Sequence, residues 1–158
     1  DFKGVTWFKA DVSGQFSGCF TGVPEIRELL ALPVDEILAQ AANLLTEALE
    51  TLQLSQKYHG PVGIDALFFT DDTGLLKLHP CIEANLRYTM GLLNLSLRRL
   101  VHPQSSGFWC LQNASQSEWE QITSMYPIET KDGFPFKGAL ALTPPPKKQG
   151  YVAWLNLY

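Results

Sequence analysis

Glu83, Asn85 and Arg87 occupy alternate positions of the run Ile82-Glu83-Ala84-Asn85-Leu86-Arg87. In an extended strand this spacing sends the three polar residues to one face and Ile82, Ala84 and Leu86 to the other. The apolar set can pack against a helix. The polar set lines up a carboxylate, an amide oxygen and a guanidinium in one row. Carboxylate and amide oxygens are the hard ligands that Mg²⁺ prefers, and a guanidinium can grip a phosphate through two donors. Asp65 lies on the preceding strand, and antiparallel pairing would bring it beside Glu83. Two acids, an amide oxygen and an arginine make a candidate site for Mg²⁺ and nucleotide phosphates, with phosphate oxygens completing the metal shell.

The elements that must position these residues follow from local pattern. Val62 to Thr70 reads as a strand, Asp71-Asp72-Thr73-Gly74 as a turn, and Leu75 to Ala84 as the return strand. Pro80 removes a backbone donor from that return strand, which predicts an edge position or a bulge. An earlier hairpin is expected from Val5 to Lys9 and Gln15 to Phe20, joined by Asp11-Val12-Ser13-Gly14. Val34, Ile37, Leu38, Ala41, Leu45, Ala48, Leu49 and Leu52 recur at three- and four-residue steps, the apolar stripe of a helix that His59-Gly60-Pro61 would stop. Tyr88 to Val101 has helical spacing. Phe108 to Leu111 reads as a strand, and Ser115-Gln116-Ser117-Glu118 as a capping box opening a short helix. Gly138 to Thr143 and Tyr151 to Tyr158 read as strands joined by a stiff, Pro-rich connection that could also serve as a polyproline ligand. Strands that come mainly as hairpins predict an α+β fold, an antiparallel sheet with helices packed on one face. The 158 residues suit a single domain, 1–158.

The pattern Gly63-Ile64-Asp65-Ala66 followed by Glu83-x-Asn85-x-Arg87 resembles the C-terminal part of the ATP-grasp superfamily. Tyr88-Thr89-Met90-Gly91 is similar to the segment after that motif in a bacterial group of such proteins. The resemblance is specific over about 30 residues, Gly63 to Gly91, and looser over the first hairpin and the long helix. It implies Asp65, Glu83 and Asn85 as ligands of one or two Mg²⁺ (or Mn²⁺) ions that bridge the phosphates of ATP. It implies Glu83 and Arg87 as nucleotide-binding, and Arg87 as the catalytic residue that steadies the transferred phosphoryl group or acyl phosphate. The implied reaction is ligation: ATP phosphorylates a small-molecule carboxylate, and an amine or thiol nucleophile attacks the acyl phosphate. Leu86 stands where the family commonly has proline. The family's nucleotide-binding lysines and flexible loop lie before this region, so the resemblance implies a missing N-terminal portion of the same protein as partner, and inactivity of the isolated chain.

Composition narrows the alternatives. A net charge of −4, with Arg98-Arg99 and Lys147-Lys148 as mere pairs, argues against nucleic acid. No apolar run approaches the roughly 20 residues a membrane span needs. Asp1 opens the chain without Met or a signal-type segment, which fits a fragment. Cys19, Cys81 and Cys110 show no zinc or disulfide spacing, and free thiols point to the cytoplasm. Cys81 and His79 would share a strand face, so a cysteine hydrolase is a distant alternative. A nearer one is a non-catalytic ATP-grasp-like module that binds nucleotide or a partner. In the plainest reading, Glu83 and Arg87 form a surface ion pair worth at most about 1 kcal/mol, and Asn85 caps the next helix.

Overall fold

A computed structural model describes residues 1–22 and 33–158. The chain divides into two compact units, the first from Asp1–Val5 and Glu25–Leu92, the second from Thr6–Pro24 and Leu93–Tyr158. The fold is α+β, and among the described residues every strand pairing is antiparallel.

In the first unit a long helix, Val34–Thr51 (α1), begins behind Pro33, whose carbonyl accepts from the amides of Glu36 and Ile37. Proline suits this start because the first helical amides have no intrahelical partner. Asp35 and Glu36 add negative charge at the positive end of the helix dipole. Val34 and Ala41 are buried, and Ile37, Leu38, Leu45 and Leu49 are half-buried along the same stripe. The stripe ends earlier than its spacing predicts: Ala48 and Leu52 are exposed. The chain breaks at Gln53, in the left-handed region at φ 52°, and resumes as a single turn, Leu54–Lys57 (α2).

The hairpin that follows pairs Gly63–Thr70 (β3) with Leu76–Asn85 (β4) as a two-stranded sheet. α1 packs against β4. Ile64, Phe68, Leu76 and Leu78 are half-buried on one face, while Leu67, Phe69, Lys77 and His79 are exposed on the other. The Asp71 carboxylate ties the tip. Its Oδ1 accepts from the Thr73 amide, the Thr73 hydroxyl and the Leu75 amide at 2.9, 2.6 and 3.1 Å. Lys77 meets its Oδ2 at 2.6 Å. Gly74, at φ 82°, supplies the positive φ that this turn requires.

A helix over Met90–Leu97 (α3) divides between the units, and a 3₁₀ turn, Arg98–Leu100, follows it. The second unit carries the remaining strands, Trp7–Ala10 (β1), Phe16–Thr21 (β2), Gly107–Ser115 (β5), Glu129–Lys131 (β6), Phe134–Ala141 (β7) and Gln149–Leu157 (β8). They form one sheet in the order β1-β2-β5-β8-β7-β6. The β1–β2 hairpin repeats the turn of the first unit: Asp11 Oδ1 accepts from the Ser13 amide, the Ser13 hydroxyl and the Gln15 amide at 2.8, 2.7 and 2.9 Å.

β8 is buried on both faces. Leu155 and Leu157 join Cys19, Leu97, Val101 and Trp109 in one apolar cluster. Val152 and Trp154, alternating with them, join Ala114, with Trp119 and Ile122 packed against that cluster from a helix over Gln116–Met125 (α4). Helical residues therefore lie against both faces of this sheet. α4 opens with the expected capping box: the Glu118 amide donates to Ser115 Oγ at 3.3 Å and the Ser115 amide to Glu118 Oε2 at 2.7 Å. Cys19 is buried in the first of these clusters, and that burial raises its thiol to about 12.

Candidate metal centre

β3 and β4 pair Gly63 with Asn85, Ile64 with Ala84, and Asp65 with Glu83. Directly opposed residues of an antiparallel pair have Cβ atoms about 5 Å apart and point to the same face. The two carboxylates are thus brought side by side at one end of the hairpin, with Asn85 on the same face one alternation further along. The Asn85 amide nitrogen lies 3.5 Å from Asp65 Oδ2, the long limit of a hydrogen bond. Asn85 is 8 % exposed, Asp65 half-buried and Glu83 exposed, so the set grades from the unit's interior to solvent.

Burial raises the Asp65 carboxyl above its ordinary value, the Glu83 charge raises it further, and Arg87 acts in the opposite sense. Like charges at this spacing oppose each other's ionisation, and a nearby cation offsets the cost. Arg87 lies just beyond β4, exposed, with Nη1 3.5 Å from the Tyr88 carbonyl. Its guanidinium is thus available to a ligand while its charge is felt at Asp65.

This end of the hairpin is closely packed. A Cβ at Gly63 would stand 2.5 Å from Thr89 Cγ2, and Thr89 Oγ1 accepts from the Leu92 amide at 3.3 Å. Glycine at 63 is what lets the segment after β4 lie against β3. The same contact fixes the segment that carries Arg87.

The donors suit a hard divalent cation. Asp65 and Glu83 offer carboxylate oxygens from opposed positions of the ladder, the ligand type Mg²⁺ prefers, while Asn85 turns its amide nitrogen, a donor, toward Asp65. No group of three or more His, Cys, Asp or Glu side chains gathers to hold a metal among the described residues. A closed all-protein cage is therefore not what these residues build.

The other polar residues weighed from the sequence take lesser places. Lys77 is tied to Asp71 at the hairpin tip. His79 pairs with Leu67 in the ladder, while Cys81 is exposed within an irregular stretch between Pro80 and Ile82. The regular strand geometry that would hold this pair on one face is interrupted there.

One polar grouping of the second unit escaped sequence reasoning. His102 is buried, with Nε2 3.3 Å from Asp132 Oδ2 and Nδ1 accepting from the Gln104 amide at 3.1 Å. Asp132 and Gly133, at φ 51° and 81°, form the two-residue turn between β6 and β7. The Asp-Gly pair is itself a hairpin signal that locates this turn. The histidine, 30 residues away, has no local signal.

Comparison with protein-family models, with curated proteins and with solved structures finds no match to this chain.

Proposed function

We propose that the chain is the metal-binding, C-terminal portion of an ATP- and Mg²⁺-dependent carboxylate ligase of the ATP-grasp type. The observation that carries the reading is the registered opposition of Asp65 and Glu83 with Asn85 beside them. In this reading the three side chains would hold Mg²⁺ or Mn²⁺, and the ion would supply positive charge to the phosphates of ATP. Asp65, recessed, and Glu83, exposed, grip the cation from two strands of a single hairpin. Arg87 contributes positive charge to the transferred phosphoryl group or the acyl phosphate. Its exposure keeps it reachable by a substrate bound outside the hairpin. A small-molecule carboxylate and an amine or thiol nucleophile are the co-substrates, and an N-terminal portion of the same protein supplies the rest of the nucleotide site.

A cytoplasmic location belongs to the same proposal. The three cysteines are free thiols, and no helix is long and apolar enough to cross a membrane among the described residues.

The test is ADP release by the full-length parent protein given ATP, Mg²⁺ and pooled carboxylates and amines, with Glu83→Gln as control. Substrate-dependent release that disappears in the variant is expected. Full activity in a folded Glu83→Gln protein would sink the ligase reading. The second reading, a non-catalytic nucleotide- or partner-binding module, draws on Leu86 in the motif and on the exposure of Pro144 and Pro145. It is favoured if the parent binds Mg²⁺-ATP, or captures a partner regardless of nucleotide, and releases no ADP.

A further inference from the structure

The connection from β7 to β8 is longer and stiffer than antiparallel neighbours require, since as few as about two residues can join such strands. Ala141 pairs with Trp154, and the Leu142 amide donates to the Ala153 carbonyl at 2.8 Å. A side chain then closes the ladder: Thr143 Oγ1 accepts from the Ala153 amide at 3.0 Å. Pro144-Pro145-Pro146-Lys147-Lys148 leads on to Gln149, where β8 begins opposite Ser115 of β5.

The prolines set the conformation of this run. Each ring holds its own φ at about −65°, and a residue that precedes proline is pushed to an extended ψ. Pro144 and Pro145 meet both conditions, which together define the polyproline II helix. Both ends are pinned. Thr143 holds one, and at the other the Lys148 carbonyl accepts from the Gln116 amide at 3.2 Å. Pro146 is half-buried over Gly150, where a Cβ would stand 3.5 Å from Pro146 Cβ. Pro144, Pro145, Lys147 and Lys148 are exposed. Neither lysine pairs with an acid among the described residues. Residues 133–158 contain Lys137, Lys147 and Lys148 and no Asp or Glu, in a chain whose net charge is −4.

We propose that Pro144 to Lys148 is a preformed polyproline ligand for a second protein, one with an aromatic-lined groove and carboxylates on its rim. Pro144 and Pro145 seat between the aromatic side chains, and Lys147 and Lys148 meet the rim. Grooves of this kind recognise polyproline helices because the extended conformation is fixed before binding, which lowers the ordering cost of association. Two adjacent cations beside the prolines select an acidic rim over a neutral or basic one. The surface uses none of Asp65, Glu83, Asn85 and Arg87, so it stands whether or not the chain takes part in ligation.

The test titrates the whole labelled chain with a panel of small domains that bind polyproline peptides in aromatic grooves, some with acidic rims and some without. Amide signals of Thr143, Lys147, Lys148, Gln149 and Gly150 report the contact. Saturable shifts confined to this connection are expected from domains with acidic rims. Pro145→Ala, and Lys147→Ala with Lys148→Ala, are each expected to weaken binding about tenfold or more, as loss of a principal contact does. Added salt should weaken the unaltered chain more than the double lysine variant. Unchanged signals of Val152 and Leu155 show that a variant keeps β8 intact. If Pro145→Ala disturbs them, competition decides: each domain's own proline-rich peptide must displace the unaltered chain, and binding that persists beside the peptide overturns the proposal. So does a panel that gives no saturable shift at millimolar concentration. Binding that survives Pro145→Ala but is lost with the lysines shows attraction by charge alone and overturns it equally.

Discussion

Asp65 and Glu83 face each other across β3 and β4, two carboxylates in direct register at the end of a hairpin whose other end is neutralised by Asp71 and Lys77. The contrast is informative. At the tip, an acid is stabilised by donors: hydrogen bonds from Lys77 and Thr73 hold the Asp71 carboxyl down at about 2. At the opposite end, burial and a like charge hold Asp65 up. One hairpin thus has a satisfied carboxylate where a turn must be fixed and a dissatisfied one where a ligand could bind.

The raised Asp65 fixes the sign of a pH effect. The folded state binds this proton more tightly than the unfolded chain, so the stability linked to it is present below the unfolded value of 3.8 and is lost as pH rises through the raised folded value. Asp65→Asn is therefore expected to be neutral to stabilising at pH 7, by up to about 0.5 kcal/mol, the usual range at a site of partial exposure. Its advantage should disappear at acid pH. Denaturant unfolding at both pH values measures this, and a variant less stable than the original at pH 7 would contradict it. Added Mg²⁺ should lower the Asp65 titration, readable from the carboxyl carbon shift.

Asp71 gives the opposite linkage. Its folded value lies below 3.8, so its contribution is present above that value and lost as pH falls through about 2. Asp71→Asn should make the amides of Thr73 and Leu75 exchange faster at pH 7, with little change at pH 2. Equal exchange in the two proteins at neutral pH would show that the turn holds without the carboxylate.

Gly63→Ala places a methyl group 2.5 Å from Thr89 Cγ2, where either β3 or the segment after β4 must give way. Thr89 is β-branched and held by the Leu92 amide, so its side chain has little freedom to retreat. A loss of about 1–3 kcal/mol, typical of overpacking, is expected in thermal or denaturant unfolding. Gly63→Ala with Thr89→Ser, which deletes the obstructing methyl, should recover part of that loss.

Much of the local structure was legible in the sequence. Asp11-Val12-Ser13-Gly14 and Asp71-Asp72-Thr73-Gly74 announce their turns because an Asp carboxylate can capture amides two and four residues ahead while glycine supplies the positive φ. Ser115 and Glu118 announce a helix start because both halves of the capping box lie within four residues. The alternation in Glu83-Ala84-Asn85 places the two polar side chains on one face whatever lies beyond the strand. The β6–β7 hairpin stands outside the strands expected from the sequence, although Asp132-Gly133 marks its turn. α1 ends at Thr51, before the His59-Gly60-Pro61 stop, and Ala48 and Leu52 are exposed although they continue the apolar spacing.

What the sequence by itself determined is the chemistry available at each position and the geometry that a few bonded neighbours enforce: turns, caps, strand faces and the α+β class. Only the tertiary structure decided which distant residues meet. It set β5 between β2 and β8, buried β8 on both faces, and closed His102 onto Asp132. The expected pairing of Asp65 with Glu83 is reached only through a change of register between Asp65 and Leu67. Pro80 signalled an edge position or a bulge, but the number of residues left out of the ladder depends on where the chain can pair again. That is a property of two strands together and cannot be read from either one.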